Sequence, residues 1–336
     1  MSEREDPVRD PSGMLDDVLA QPEQIEDALW RSEAAGIERR TREGGLVVAG
    51  MGGSAIGGDL AHAIAGDRAT RPIRTRRGYW LDPWTGSDSL ILCASYSGET
   101  EETLACYDAA RELGAPRVVL TTGGTLAERA RDDGVPVIGV PGGMQPRAAV
   151  VYMTVAALEC AAACGAAPSL RGEIEAAATT LQELASSSLP EELAGELVGK
   201  VPIVHGAGRT AAPARRWKTQ LNENAEVAAF HTVLPEGDHN EVCGYGNGPA
   251  PFAAILLTDD ALDPRLGRRI GITADILAAE GAPVHMVEAR GETATERVLS
   301  LVMLGDLTSV HLAYALGIDP TPVEAIDRLK ARLAEA

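Results

Sequence analysis

The chain has 336 residues, of which 45% are hydrophobic and only 4% aromatic, and its formal net charge is −19. This length suits two domains of about 150 residues, and the acidic balance without a Lys/Arg-rich face argues against nucleic-acid binding. No apolar run of about 18–20 residues is evident, and the charged start MSEREDPVRD is unlike a signal peptide. We therefore expect a cytoplasmic protein without a membrane segment.

The sequence contains no motif that predicts a metal site or a disulfide framework. The five cysteines form no CxxC pair, and there is no HExxH motif or dense cluster of His, Cys and Asp. Small core residues are the simplest interpretation of these cysteines. We predict no metal and no cofactor. The cysteines are Cys93, Cys106, Cys160, Cys164 and Cys243.

The first half alternates short apolar strands with helices. After an N-terminal extension (1–40) with a helix over 14–35, strands are predicted at 46–50 and 90–94, each followed by a polar loop and a helix. Further strands at 117–121 and 135–140 flank a helix, and 148–165 is an apolar helix. The Arg-rich segment 68–77 is interpreted as a solvated loop and strand edge. Strands of this length between helices predict βαβ units and a parallel sheet.

The second half repeats this order after a helical connector (166–199). A strand at 202–205 is followed by Gly206-Ala207-Gly208-Arg209-Thr210, which resembles the segment from Gly50 to Ser54. Later strands are predicted at 253–258 and 283–287, with helices at 265–280, 294–316 and 322–334. This weak internal repeat predicts two similar α/β domains, at 41–165 and 200–336.

Two loops of the first half are candidate phosphate sites. Gly50-Met51-Gly52-Gly53-Ser54 and Ser95-Tyr96-Ser97-Gly98-Glu99-Thr100 each join a strand to a helix. Glycines let the backbone approach an anion, and the helix start offers free N–H groups. Ser97 could instead simply cap its helix. Two such loops at one edge of a sheet favour phosphate binding, although neither forms a dinucleotide fingerprint or a P-loop.

These motifs resemble the sugar isomerase (SIS) domain. Further motifs narrow the resemblance to bifunctional phosphoglucose/phosphomannose isomerases, over roughly 45–335. These motifs are Pro146-Arg147, Asn222-Glu223-Asn224-Ala225, His239-Asn240-Glu241, Asp319-Pro320-Thr321-Pro322 and Leu329-Lys330. The resemblance implies two tandem SIS domains, each a parallel five-stranded sheet flanked by helices in a flavodoxin-like αβα sandwich. It also implies a homodimer with shared active sites, acting in glycolysis and gluconeogenesis.

Aldose–ketose isomerisation requires a base for the proton between C1 and C2, a ring opener and a cation for the enediolate. Glu223 can be the base, His239 the ring opener and Arg147 the cation, with Lys330 assisting ring opening or holding a sugar oxygen. The resemblance implies these same roles, and phosphate binding by Gly53, Ser54, Ser95, Ser97 and Thr100.

Several alternatives remain open at this point. Glu223 could be an exposed helix-end carboxylate, and Glu226, Glu236, Asp238 and Glu241 lie close to it in sequence. His239 could be a turn residue, and Lys330 could be solvated beside Arg328 and Arg332. A non-catalytic sugar-phosphate regulator, or an isomerase of another phosphosugar, would share the serine loops. Glu99 adds a negative charge near the expected phosphate unless its side chain points away.

Overall fold

The computed structural model describes residues 10–245 and 251–334. Two parallel sheets follow one another along the chain, and helices cover their faces. The elements of the first half are α1 (Met14–Leu19), α2 (Gln21–Ala34), β1 (Leu46–Ala49), α3 (Gly52–Ala65), β2 (Ile73–Arg76), β3 (Leu90–Ala94), α4 (Glu101–Glu112), β4 (Arg117–Thr121), α5 (Gly124–Asp132), β5 (Val137–Gly139) and α6 (Val150–Ala163).

The second half has the same alternation of elements. They are α7 (Arg171–Leu184), α8 (Leu189–Leu197), β6 (Val201–Ala207), α9 (Ala211–Asn224), β7 (Phe230–Leu234), β8 (Phe252–Thr258), α10 (Pro264–Ala279), β9 (Val284–Glu288), α11 (Ala294–Leu316) and α12 (Glu324–Ala334). Short 3₁₀ turns lie between several of them, among them Pro146–Ala149 and Glu236–His239.

Both sheets are parallel, as the alternation of strands and helices predicts. The strand order is β2-β1-β3-β4-β5 in the first sheet and β7-β6-β8-β9 in the second. β1 and β3 are buried along their whole length, because helices cover both faces of the sheet. In each sheet the order reverses beside the first strand, so a crevice opens at the carboxyl ends of β1 and β3 and of β6 and β8.

The prediction of five strands in the second domain is wrong for the described residues, where the second sheet has four. In the first half, α5 and β5 lie between β4 and α6. In the second half only residues 289–293 separate β9 from α11, and Thr293 and Glu296 form a capping box that starts the helix. The intervening segment is too short for another helix and strand.

The largest hydrophobic cluster of the described residues spans both halves of the chain, and two smaller clusters lie within one half each. The largest cluster includes Leu46 and Met153 from the first half and Leu221 and Val302 from the second. Gly57 lets α3 pack closely on α6, since a Cβ there would lie 2.4 Å from the Met153 carbonyl carbon. Helix α11 packs against α7, α8 and α9.

The N-terminal extension is part of this core, because Met14, Val18 and Ile25 are buried in the same cluster. The single helix predicted over 14–35 is divided at Ala20, and the second helix begins at Gln21 with Pro22 in its first turn. The helical connector is likewise divided into α7 and α8.

Two helices correct the expectation that no apolar run reaches the length of a membrane span. Pro146–Ala163 and Ala294–Leu316 are long and apolar enough by composition. However, 89% and 83% of their apolar windows, respectively, are buried by the rest of the chain. Helices with that degree of burial are typical of a protein core.

Candidate active site

The two candidate phosphate loops meet at the crevice of the first sheet. β1 and β3 are neighbours, and each runs directly into its loop and then into α3 or α4. Gly52 and Gly98 have φ values of +49° and +74°, which side chains rarely adopt. Both loops can therefore turn their backbone N–H groups towards the helix starts, where an anion is favoured.

Hydroxyl groups connect the two loops. The Ser54 hydroxyl accepts a hydrogen bond of 3.1 Å from the Tyr96 N–H, which links the first loop to the second. The Ser95 and Thr100 hydroxyls lie 2.8 Å apart, and Ser95 also accepts from the Gly98 N–H at 3.1 Å. Ser54 and Ser95 are buried, whereas Ser97 is exposed. The structure thus brings the predicted phosphate-binding hydroxyls to one loop cluster.

Ser97 does not cap α4, in contrast to the alternative interpretation of this loop. The helix begins at Glu101, two residues later than predicted, and Ser97 accepts a hydrogen bond from the Glu99 N–H. The Glu99 side chain points towards the start of α5, where it accepts hydrogen bonds from the N–H (2.7 Å) and hydroxyl (2.9 Å) of Thr125. These hydrogen bonds lower the pKa of Glu99 and direct its charge away from Ser95.

Arg147 is a buried cation between the two halves of the chain. Its side chain is 3% exposed and lies in the 3₁₀ turn that precedes α6. Its Nη2 donates to the carbonyls of Pro320 (2.7 Å) and Thr321 (2.8 Å), and its Nε donates to Asn224 Oδ1 (2.5 Å). Burial lowers the pKa of Arg147, while the carboxylate of Glu223 opposes that change.

Glu223 lies beside this cation. It is in the last turn of α9, and its Oε2 is 3.8 Å from Arg147 Nη1. Its side chain is 27% exposed, so one side remains open to a ligand. Gly53, at the start of α3, touches the backbone of Arg147, because a Cβ there would lie 3.0 Å from the Arg147 Cα. The carboxylate, the cation and the candidate phosphate loops therefore form one continuous group.

The neighbouring carboxylates have other surroundings. Asp238 binds Arg269 (3.0 Å) and the Thr273 hydroxyl (2.7 Å). Glu236 accepts from Asn240, and Glu226 and Glu241 are exposed. Among the described residues, Glu223 is the only one of these five carboxylates that pairs with Arg147.

The other two predicted catalytic residues are exposed and are not bonded to this group in the described residues. His239 is exposed at the end of a 3₁₀ turn beyond the edge strand β7, and Lys330 is exposed on α12. Within 10–245 and 251–334, neither forms a hydrogen bond or ion pair with Glu223 or Arg147. Helix α12 also exposes Ile326, Leu329 and Leu333 on its surface.

A buried polar network that supports Arg147 was not predicted. Asn224 Nδ2 donates to the Ser309 hydroxyl (2.9 Å), and Arg216 donates to the Arg147 carbonyl (2.8 Å). Asp306 on α11 in turn holds Arg216 at 2.8 Å and accepts from Gln21 at 2.7 Å. The Asn-Glu-Asn motif points to Asn224, but no pattern in the sequence indicates that Gln21 or Asp306 approaches the site.

No group of three or more His, Cys, Asp or Glu side chains with metal-binding geometry occurs in the part of the chain that the structure describes. Four cysteines are buried, and Cys243 is exposed. His205 is buried against the Tyr245 hydroxyl (3.2 Å), and burial lowers its pKa to about 4.

Comparison with known proteins agrees with this architecture. The model of the "bacterial phospho-glucose isomerase C-terminal SIS domain" matches residues 187–333. A bifunctional phosphoglucose/phosphomannose isomerase of Caldicellulosiruptor bescii is 35% identical over 96% of this chain and 99% of its own. The enzyme of the same name from Aquifex aeolicus is 36% identical over 86% and 90%. A solved structure of a hypothetical protein from Thermus thermophilus shares the fold, with a TM-score of 0.76 at 18% identity over 98% and 91% of the chains.

The fold and the crevice define a protein of two tandem SIS domains, as the sequence resemblance predicts. Identity above 30% over most of both chains places it more narrowly. The chain belongs to the bifunctional phosphoglucose/phosphomannose isomerase family, a family of isomerase enzymes.

Proposed function

We propose that the chain interconverts glucose 6-phosphate, and also mannose 6-phosphate, with fructose 6-phosphate. The observation that carries this proposal is the pairing of Glu223 with the buried Arg147 next to the hydroxyl-rich loops. A carboxylate, a permanent cation and a phosphate cradle are the groups that proton transfer on a phosphosugar requires. Relatives named for both activities support the same substrates.

In the proposed mechanism Glu223 removes the proton at C2 of the open-chain aldose and returns it to C1. The intermediate is a cis-enediolate, whose negative charge faces Arg147. Because Arg147 is buried and hydrogen-bonded to two carbonyls and to Asn224, its charge is fixed before the reaction begins. A preorganised cation of this kind stabilises the developing charge without reorganisation. Gly53, Ser54, Ser95, Ser97 and Thr100 bind the phosphate.

His239 and Lys330 complete the site in this proposal. His239 transfers the proton of the ring oxygen, and Lys330 assists ring opening or holds a sugar oxygen. Both side chains are exposed, and neither forms a hydrogen bond or ion pair with Glu223 or Arg147 within the described residues. In the proposed homodimer His239 reaches the site from the second copy. The mechanism uses no metal, and the enzyme is cytoplasmic.

Coupled assays test the activity directly. Fructose 6-phosphate formation is measured from glucose 6-phosphate and from mannose 6-phosphate, with EDTA present. Wild type turns over both, whereas Glu223→Gln loses most of kcat and still binds substrate. Glu226→Gln, an exposed carboxylate on the same segment, is the matched control and keeps wild-type rates. A requirement for zinc, or tight binding without turnover by wild type, would refute the mechanism; the second result would favour a sugar-phosphate regulator.

Shared sites are tested by mixing two inactive variants. Glu223→Gln and His239→Ala are unfolded together and refolded as mixed dimers. If His239 acts across the interface, half of the dimers are mixed and each carries one intact site of two, so about a quarter of wild-type activity returns. If His239 acts within its own chain, every site keeps one defect and no activity returns.

A further inference from the structure

The crevice of the second sheet repeats the geometry of the first. Gly208 follows β6 as Gly52 follows β1, and its φ of +55° is close to the +49° of Gly52. Thr210 precedes α9, and its hydroxyl donates to the Leu257 carbonyl of β8 (3.2 Å). Ser54 makes the corresponding link from its helix to the loop after β3. The second domain therefore retains the backbone of a strand–loop–helix anion cradle.

The residue that follows the inner strand distinguishes the two crevices. Ser95 comes directly after β3, whereas Asp259 comes directly after β8. Each accepts a loop N–H: Ser95 from Gly98 at 3.1 Å and Asp259 from Ala261 at 2.8 Å. The second crevice thus carries its own carboxylate where the first offers a neutral hydroxyl.

Two arginines surround this carboxylate. Arg297 Nη1 lies 2.9 Å from Asp259 Oδ1, and Arg209 Nε lies 3.4 Å from Oδ2. Arg297 also pairs with Asp260. The Asp259 side chain is fully buried, and Arg297 is only 12% exposed, so both groups are largely withdrawn from water. Arg297 lies in the first turn of α11, the helix after the last strand of its sheet, and Arg147 likewise just precedes α6.

We propose that this second crevice is an anion-binding site whose anion is the chain's own Asp259, assisted by Asp260. The inference rests on the proposed function only in taking the first crevice as the phosphate site. A fixed carboxylate on the same chain needs no association from solution, so it occupies the two arginines permanently. A phosphate dianion that entered the second crevice would lie beside the carboxylates of Asp259 and Asp260, and neighbouring like charges repel each other strongly.

The second crevice has enough volume to admit a ligand. Gly208, Arg209 and Ala261 line a cleft of about 1040 Å³ between the two domains. Two other arginines that line the cleft also pair with carboxylates of the chain, Arg68 with Glu173 and Arg215 with Asp59. In this proposal the ion pairs of Asp259, and not a lack of volume, restrict phosphate binding to the first domain.

Equilibrium dialysis with radiolabelled inorganic phosphate counts the sites without relying on catalysis. Wild type is expected to bind one phosphate per chain. Asp259→Ser places after β8 the residue type that follows β3, and Asp260→Ser removes the second carboxylate. Both arginines are then free of these carboxylates, so two phosphates bind per chain. Adding Arg297→Gln to this variant returns the number to one.

Two results would overturn the proposal. The first is a wild-type chain with two phosphate sites, one of which Arg297→Gln removes. The second is a folded Asp259→Ser/Asp260→Ser variant that still binds one phosphate. If that variant does not fold, Arg209→Gln tests the proposal instead. When Asp259 is the anion bound to Arg209, this substitution leaves the number of bound phosphates unchanged. When phosphate is the anion bound there, the substitution removes one phosphate site. If the first crevice binds no phosphate at all, wild type binds none and Asp259→Ser/Asp260→Ser binds one phosphate per chain. That result would contradict the proposed function and support the proposal for the second crevice.

Discussion

Replacing Asn224 by Ala tests whether the buried network positions Arg147 for catalysis. Asn224 is fully buried and accepts the Arg147 Nε–H at 2.5 Å. A hydrogen bond to a charged group contributes about 1.5–3 kcal/mol, and its loss leaves a buried guanidinium donor without a partner. If that free energy acts on the enediolate-like transition state, kcat falls about ten- to hundredfold. KM changes little, because the proposed phosphate ligands Ser54 and Ser95 are unchanged.

The assay is the coupled measurement of kcat and KM with glucose 6-phosphate. Asn222→Ala is the matched control, because Asn222 lies on the same helix and donates to the Val227 carbonyl (2.8 Å) instead of contacting Arg147. It is expected to lower stability without changing kcat. Asn224→Asp keeps an acceptor for Arg147 but adds a negative charge next to Glu223. An Asn224→Ala enzyme with wild-type kcat, or equal losses in both alanine variants, would refute the positioning role.

Three further predictions follow from particular contacts. Glu99→Gln should change the KM for glucose 6-phosphate by less than about threefold, because Thr125 directs the carboxylate away from Ser95. A tenfold fall in KM would show instead that the charge of Glu99 repels the substrate. Gly53→Ala should lower kcat about tenfold, since its Cβ would press on the Arg147 backbone, whereas Gly142→Ala meets no atom within 4 Å and should be neutral. The buried His205, with its pKa lowered to about 4, stabilises the fold above pH 6.5, and this contribution of about 3 kcal/mol is lost as the pH falls from 6.5 to 4. The free energy of unfolding, measured with urea between pH 6.5 and 4, should show this loss in wild type and not in His205→Gln. Identical pH profiles of the two proteins would contradict the prediction.

The inner strands and the strand–loop–helix arrangement of the two candidate phosphate loops could be predicted because their signals are local. Apolar runs such as 90–94 indicate buried parallel strands, and glycines and hydroxyls directly after them indicate anion loops. The edge strand β7 was not predicted, because an edge strand is half solvated and its sequence Phe-His-Thr-Val-Leu mixes polar and apolar residues. The start of α4 was placed two residues too early, since acidic residues suit both a loop and a first helical turn.

The support of Arg147 could not be predicted, because its partners are distant in sequence. Arg147 is held by Asn224 and by the carbonyls of Pro320 and Thr321, and backbone carbonyls carry no sequence signal. The resemblance implies five strands in the second sheet, whereas the described residues form four. The short segment 289–293 between β9 and α11 leaves no room for the additional helix and strand.

The hydrogen bond between Gln21 and Asp306 also has a consequence for how the protein is made. These residues are 285 positions apart, and Asp306 holds the arginine that supports Arg147. During synthesis the first sheet can form early, but its cation has no complete set of partners until Thr321 has left the ribosome. Contacts of such long range are formed late and slowly. On the proposed function, a growing chain could therefore hold phosphate before it could hold the reacting sugar carbons, and catalytic competence would arise only after residues 320 and 321 have been added.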